Sequence, residues 1–189
     1  MRLGILGGSF NPIHHGHLVV AERAAEAARL DRVLLMPAAL PPLKNARDIA
    51  PAAERLAMVR AAVRGHPFLE ASDLEIRRGG VSFTIDTLRE LARLMPDARP
   101  HLILGADAAA LLPRWKSIAE VARRATFLVA ARPGHRVGVR MPKQKVVDVP
   151  LLDISSSEIR DRLRRGRSVR WLVPEPVRRH LERKKLYRG

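Results

Sequence analysis

Short apolar runs alternate along the chain with longer segments in which apolar residues recur at helical spacing. The short runs predict strands at 2–7, 32–36, 68–76, 101–104, 126–130 and 146–149. The helical pattern predicts helices at about 17–30, 51–64, 82–95 and 118–124, and a C-terminal helical segment after residue 149. Strands that alternate with helices of this length are typical of an α/β fold, here a doubly wound, Rossmann-like parallel sheet with helices on both faces.

Several loops of this predicted fold follow strands directly. In a doubly wound sheet, ligands bind beyond the carboxyl ends of the strands. We therefore expect the motif-bearing loops to converge on one site. The Pro-bounded connection at 41–50 lies close to that site, and a lid is a plausible role for it.

Length and composition restrict the class of protein. A chain of 189 residues with 47% hydrophobic residues matches one domain, so we expect residues 1–189 to form a single unit. There is no cysteine, which excludes disulfides, thiolate nucleophiles and Cys-based metal sites. The chain has no apolar run of about 18 residues and no secretory leader pattern. We expect a cytoplasmic protein that does not enter the membrane.

The formal net charge of +16 permits two interpretations. Six of the 35 basic residues are Lys and the remaining 29 are Arg, which is typical of a biased genome composition and a solvated basic surface. A nucleic-acid surface along 160–188 is the alternative. Aromatic residues make up only 4% of the chain and offer few platforms for stacking bases, so nucleic acid is the less favoured partner.

The loop between the first strand and the first helix carries a candidate site. Gly7, Gly8 and Gly16 permit backbone to approach a phosphate closely, near a helix N-terminus that attracts anions. Neither GxxxxGK[ST] nor GxGxxG is present. His14 and His17 lie three positions apart across the helix start, so both rings can face one ligand. Phosphate is the favoured ligand; a solvated pair, a structural pair and half of a metal site remain alternatives.

A second candidate site follows the last predicted strand. Ser155 and Glu158 have the spacing of a helix capping box. With Ser155 as the cap, the amides of Ser156 and Ser157 face outward from the positive end of the helix, and Arg160 can turn back toward the same anion. A capped helix with a solvated basic face is the alternative interpretation.

Together, the segments GGSFNPIHHGHL and ISSSEIR resemble the HxGH nucleotidyltransferases, and within them the bacterial nicotinate-nucleotide adenylyltransferases. The likeness covers nearly the whole chain. Its other landmarks are PPLK at 41–44, SFT at 82–84 with Thr87, GAD at 105–107, PRW at 113–115, ARPG at 131–134, and an ending that runs from VPEPV at 173–177 to LY at 186–187.

The resemblance implies an enzyme that transfers the adenylyl group of ATP to nicotinate mononucleotide, without a covalent enzyme intermediate. Mg²⁺ would be carried by ATP, and no protein metal site is implied. The implied ATP-binding residues are Gly8, Ser9, Phe10, His14, Gly16, His17, Gly105, Ser156, Ser157 and Arg160. Of these, the implied catalytic residues are His14, His17 and Arg160. The implied substrate-binding residues are Lys44, Thr84, Asp107, Trp115 and Arg132.

Four positions depart from the usual pattern of this family. Asn11 replaces a commoner Asp, Leu43 a His, Ala38 an Asn and Phe83 a Tyr. Leu43 leaves only Lys44 to reach phosphates from its loop, and the changes at Ala38 and Phe83 each remove a polar group from the substrate side. Nicotinamide mononucleotide and phosphopantetheine therefore remain alternative acceptors, although Thr84 and Trp115 argue against phosphopantetheine.

Overall fold

The computed structural model describes residues 1–42, 49–131, 140–150 and 152–188. The strands in these residues form one parallel sheet of order β3-β2-β1-β4-β5-β6. They are β1 (Arg2–Gly8), β2 (Arg32–Pro37), β3 (Leu69–Ala71), β4 (Arg99–Gly105), β5 (Thr126–Ala131) and β6 (Gln144–Asp148). The helices are α1 (His15–Ala28), α2 (Ala52–Ala62), α3 (Leu74–Arg78), α4 (Thr84–Leu94), α5 (Ala106–Ala110), α6 (Ile118–Arg124), α7 (Ser156–Arg164) and α8 (Glu175–Arg183).

The strands are apolar on both faces, as expected for a sheet covered by helices on each side. On β2, Val33 and Leu35 belong to one core cluster, while Leu34 and Met36 belong to the other. Helices α1, α2, α7 and α8 contribute buried residues to the first cluster, and α3 to α6 contribute to the second. The predicted doubly wound, Rossmann-like fold is confirmed, and so is the helical C-terminal segment.

The strand order reverses at β1. The chain moves outward from β1 to β2 and β3, then returns so that β4 pairs with the opposite edge of β1. The crevice between the carboxyl ends of β1 and β4 is the topological switch point at which such folds bind ligands. Gly8 and Gly105 end these two strands, so the fold places the first candidate loop at this crevice.

One predicted strand is wrong over most of its length. The run 68–76 was predicted as a strand, but β3 covers only Leu69–Ala71 and is followed by α3. The chain turns after β3, where Oγ of Ser72 accepts a hydrogen bond from the backbone N–H of Leu74, and Asp73 is the N-cap of α3. The short α5 was not predicted. No helix in the described ranges is long and apolar enough to cross a membrane.

Candidate active site

A cleft of about 640 Å³ opens beyond the carboxyl ends of β1 and β4. Its walls come from the loop after β1, the segment after β2, the start of α4 and the turn after α5. The residues that line it and matter below are Gly8, Ser9, Ala38, Glu75, Ser82, Thr84, Thr87, Trp115 and Lys116. Most of this lining is apolar, with a few converging polar groups, which is the usual composition of a small-molecule site.

His14 and His17 come together at the start of α1, as predicted from their spacing. Their ring centroids lie 3.7 Å apart, with an angle of 31° between the ring planes. The backbone N–H of His14 donates to Nδ1 of His17 at 3.2 Å. Since an accepting nitrogen carries no proton, the neutral His17 ring holds its proton on Nε2. The fold thus sets His17 as a hydrogen-bond donor through Nε2.

Burial keeps His14 uncharged. Its side chain is buried, and this burial, with a smaller contribution from the neighbouring His15, lowers the pKa of His14 to about 4. The imidazole of His14 is therefore neutral at pH 7 in the free protein. An alanine Cβ at Gly16 would lie 3.0 Å from Nδ1 of His14, so the absence of a side chain at Gly16 makes room for this ring.

The second candidate segment packs directly against the first. Ser155 caps α7 by accepting a hydrogen bond from the backbone N–H of Glu158 at 3.1 Å, which confirms the predicted cap. The Oγ of Ser156 donates to the carbonyl of Pro12 at 2.9 Å. Arg160 donates from Nη1 to the carbonyl of Asn11 at 2.9 Å and from Nη2 to Oγ of Ser157 at 3.3 Å.

Unsatisfied buried polar atoms are concentrated at this junction. Within the described ranges, Nδ1 of His14 and Nε of Arg160 are the buried side-chain nitrogen or oxygen atoms that lack a hydrogen-bond partner. Buried polar atoms without partners are rare and call for an explanation. Both atoms belong to residues that the sequence assigned to phosphate binding.

Phe10 takes a different position from the other residues of its loop. Its side chain is 1% exposed and packs in the core, with its ring edge-on to His17 at a centroid distance of 5.0 Å. Phe10 therefore packs against the His17 ring from the core side. Any direct contact of Phe10 with a nucleotide would have to involve its backbone.

The predicted substrate-binding residues are distributed over three locations. Thr84, the first residue of α4, and Trp115 line the cleft, as expected. Gly105 and Asp107 are exposed at the start of α5, and neither is among the residues that line the cleft. Lys44 and Arg132 lie outside the described residues, and so does most of the connection at 41–50.

A buried polar cluster at the cleft wall was not predicted from the sequence. Glu75 is buried and accepts a hydrogen bond from Oγ1 of Thr87 at 2.6 Å. Arg78 donates to the same Thr87 oxygen at 3.0 Å and to Glu90 at 2.9 Å. Glu75, Arg78 and Glu90 lie in segments whose sequence pattern is that of ordinary amphipathic elements. Thr87 alone belongs to one of the motifs that the sequence analysis identifies.

No metal cage is evident in the described part of the chain, where no group of three or more His, Asp or Glu side chains is arranged to hold an ion. The groups at the junction of the two segments are hydroxyls, imidazoles and a guanidinium. These groups suit phosphate oxygens better than a bare cation.

The fold matches solved nucleotidyltransferases. It superposes on the Plasmodium falciparum nicotinic acid mononucleotide adenylyltransferase complexed with NaAD with a TM-score of 0.82, at 19% identity, over 98% of this chain and 97% of that one. The crystal structure of "a Putative Nicotinate-nucleotide Adenylyltransferase from Vibrio parahaemolyticus" gives a TM-score of 0.75 at 22% identity, over 100% of this chain and 96% of that one. At these identities, the likeness establishes the fold.

Sequence comparisons extend the match to the family. A cytidylyltransferase-like family profile matches residues 5–162. A protein of Synechococcus sp. (strain JA-3-3Ab) named "Probable nicotinate-nucleotide adenylyltransferase" is 43% identical over 98% of this chain and 94% of its own length. A protein of the same name from Exiguobacterium sibiricum is 44% identical over 99% of both chains. The chain therefore belongs to the nicotinate-nucleotide adenylyltransferase family, within the cytidylyltransferase-like proteins.

Proposed function

We propose that this protein transfers the adenylyl group of ATP to nicotinate mononucleotide, giving nicotinate adenine dinucleotide and pyrophosphate in NAD biosynthesis. One observation carries the proposal. Gly7, Gly8 and Ser9 line the same cleft as Thr84 and Trp115. The loop continues from these residues to His14 and His17, which are not themselves among the cleft-lining residues. This arrangement supports a phosphate-binding region next to an aromatic pocket, as a dinucleotide product requires.

The histidine and serine segments form the ATP half of the proposed site. His14 and His17 hold triphosphate oxygens, and His17 donates from Nε2 toward the α-phosphate, where charge changes during transfer. Ser156, Ser157 and Arg160 take the β- and γ-phosphates at the N-terminus of α7. Arg160 contacts the loop that carries the histidines at the N-terminus of α7, and this juxtaposition supports an anionic ligand at this place. Backbone from Gly8 to Phe10, together with Gly16 and Gly105, completes the ATP half.

The cleft between Thr84 and Trp115 forms the acceptor half. Trp115 offers a face on which the pyridine ring can stack. The N-terminus of α4 at Thr84 favours a negative group. The ammonium of Lys116 lies 4.5 Å from the Phe83 ring and is paired with Asp86 at 3.2 Å. The helix N-terminus therefore carries the support for a nicotinate carboxylate over a neutral amide. Lys44, Asp107 and Arg132 remain proposed substrate contacts.

The proposed chemistry is an in-line displacement. An oxygen of the acceptor phosphate attacks the α-phosphorus of ATP and forms the new P–O bond, while the bond to the bridging oxygen breaks and pyrophosphate leaves. The protein needs no nucleophile for this step, and its residues orient the two phosphates and neutralise their charge. We propose that Mg²⁺ arrives with ATP and supplies further charge neutralisation there. Among the described residues, no cluster of three or more carboxylate or imidazole groups is arranged to hold the ion by itself.

Pyrophosphate release tests reaction, substrate and site together. Wild type receives ATP and Mg²⁺ with nicotinate mononucleotide or nicotinamide mononucleotide in parallel, and His17→Ala receives the same mixtures. We expect strong release with the acid and weak release with the amide. Turnover of His17→Ala should fall about 100- to 1000-fold, since it loses a preorganised donor. His101→Ala, an equivalent truncation in β4 at a position paired with Gly4, is the matched control.

Each unfavourable outcome has a definite meaning. Equal release with the amide would replace the proposed acceptor preference and leave the reaction standing. Release with neither nucleotide would refute the proposed substrate and direct the search to other phosphorylated acceptors. Normal turnover in His17→Ala would refute the proposed role of the histidine loop.

A further inference from the structure

Arg55 is a charged residue in the interior of the protein. It lies in the first turn of α2, and its side chain is 1% exposed, among the largest fully buried side chains in the described residues. Burying a guanidinium is costly unless its N–H groups are hydrogen-bonded. The contacts that offset this cost therefore indicate what the residue is for.

The guanidinium binds backbone carbonyl oxygens from three separate segments. Nε donates to Ala50 at 2.9 Å, and Nη1 donates to Ser9 at 2.9 Å. Nη2 donates to Ala38 at 2.7 Å and to Ala39 at 3.1 Å. Within the residues that the structure describes, none of the ion pairs includes Arg55, so its charge is not neutralised by a described carboxylate.

The bound carbonyls belong to the walls of the cleft. Ser9 and Ala38 line it directly. The N–H of Ala39 donates to Oγ of Ser82 at 2.9 Å, and Ser82 also lines the cleft. Arg55 thus holds Ser9 and Ala38 directly, and is linked to Ser82 through Ala39.

The same fork holds the histidine loop indirectly. Ala50 accepts from Arg55 through its carbonyl, and its own N–H donates to Oδ1 of Asn11 at 2.9 Å. The carbonyl of Asn11 in turn accepts from Arg160. A displacement of Arg55 would therefore be transmitted to the phosphate-binding residues as well as to the cleft walls.

We propose that Arg55 is a positioning residue for adenylyl transfer: it fixes the spacing between the loop after β1 and the segment after β2, and so the distance between the two reacting phosphates. This inference rests on the proposed function. Arg55 lies behind the cleft lining, so it acts through the backbone that it holds. Lysine cannot replace it, because one ammonium cannot bind carbonyls in the fixed directions of a fork.

The test compares Arg55→Met and Arg55→Lys with Arg60→Met, an exposed arginine of the same helix whose guanidinium contacts Asp73. All proteins are assayed at a temperature at which circular dichroism shows each to be fully folded. We expect kcat to fall about 100-fold in both Arg55 variants, as for a misplacement of about 1 Å. KM for each substrate should change far less than kcat. Arg60→Met should match wild type.

Chemical rescue separates positioning from general damage. In Arg55→Ala, millimolar N-ethylguanidinium should restore at least about tenfold of the lost kcat by rebinding the carbonyl fork, whereas N-ethylammonium at the same concentration should not. Wild-type kcat in Arg55→Lys, or equal rescue by the two cations, would overturn the proposal. So would a loss of activity that only follows the unfolded fraction.

Hydrogen exchange makes the inference independent of the proposed function. The amides of Ala38, Ala39 and Ala50 should exchange faster in Arg55→Met than in wild type, while amides of β5 remain unchanged. If wild type releases no pyrophosphate, the proposed function fails, yet faster exchange at these amides would still support positioning of the cleft by Arg55. Unchanged exchange at all three amides would overturn the inference.

Discussion

At the residue scale, the two histidines of the candidate site have different surroundings. The backbone bond to Nδ1 of His17 orients its ring, while burial keeps His14 neutral. Because His14 is neutral, the two rings in contact avoid the repulsion that two imidazolium ions would experience in the free protein. The glycine between them provides the room for this stacked arrangement.

Substitution of Gly16 should act through His14. In Gly16→Ala, the new Cβ would lie 3.0 Å from Nδ1 of His14, which is closer than ordinary van der Waals contact. We expect the ring to move and kcat to fall by roughly 100-fold, comparable to the loss of one donor. Steady-state kinetics of Gly16→Ala, His14→Ala and the double variant test this. An additive loss in the double variant would show that Gly16 acts by another route.

His14 should make folding stability depend on pH. Because its pKa falls from about 6.5 in the unfolded chain to about 4 in the folded protein, the unfolded state binds more protons between these values. Stability is therefore retained above pH 6.5 and lost as pH falls toward 4. We expect wild type to lose roughly 2 to 3 kcal/mol more than His14→Asn between pH 7 and pH 4.5. Urea unfolding at both pH values measures this, and equal losses would contradict it.

At the element scale, α7 joins the two segments of the proposed phosphate site. Its N-terminus carries Ser156 and Ser157, Arg160 one turn later contacts Asn11, and its apolar face places Ile159 in the core. In the proposed site, the position of the helix start therefore determines where the phosphate groups bind. The cap at Ser155 holds that start.

Two substitutions at Ser155 should separate stability from activity. Ser155→Ala removes the bond to the N–H of Glu158 and should cost about 1 kcal/mol of unfolding free energy. Ser155→Asp keeps a good cap and should keep stability, but its carboxylate near the phosphates should raise KM for ATP. Thermal unfolding and ATP titration measure the two effects. A stable Ser155→Asp with unchanged KM for ATP would place the triphosphate away from this helix end.

At the scale of the whole molecule, the two ends of the chain meet at the candidate site. The hydroxyl of Tyr187 donates to Oδ1 of Asn11, 176 positions earlier, and Tyr187 belongs to the partly buried residues packed on the core cluster under α1. Burial raises the pKa of Tyr187, so it remains a neutral donor at physiological pH. The C-terminal segment thus supports the loop that carries the histidines.

Removal of the Tyr187 hydroxyl should weaken this support. Tyr187→Phe should lower the unfolding free energy by about 1 kcal/mol, the usual contribution of one hydrogen bond, and raise KM for ATP. Trp171→Phe is the control, because Trp171 is 83% exposed and its truncation should change neither quantity. Denaturant unfolding and steady-state kinetics provide the measurements. A Tyr187→Phe protein identical to wild type in both would show that the contact is dispensable.

The basic charge should not produce specific nucleic-acid binding. We expect DNA and RNA to bind no tighter than the non-specific range of about 10⁻⁴ to 10⁻⁶ M at physiological salt, with affinity that falls steeply as salt rises. Fluorescence anisotropy over a salt series measures this. Submicromolar affinity that survives loss of His14 and His17 would favour the nucleic-acid interpretation. The organisation of residues 1–189 as a single unit and a cytoplasmic location also remain predictions.

Local patterns were sufficient for the main elements and for the juxtaposition of the two histidines. Short apolar runs predicted five of the six strand positions closely, and the spacing of His14 and His17 predicted their shared face. The prediction for 68–76 was wrong because a short apolar run does not show where a strand ends, and α3 already begins at Leu74. The roles of Lys44 and Arg132 remain predictions, since both lie outside the described residues.

The sequence by itself determined the fold class, the helix cap at Ser155 and the pairing of the histidines, because each depends on neighbours a few positions away. Only the tertiary structure decided that Arg55 is buried. Within α2 it reads like the exposed Arg60, and its partners come from loops up to 46 positions away. The contact of Tyr187 with Asn11 is hidden for the same reason. Buried polar groups such as these need hydrogen-bond partners, and here the partners are distant in sequence. A local sequence pattern does not indicate where that distant backbone will lie.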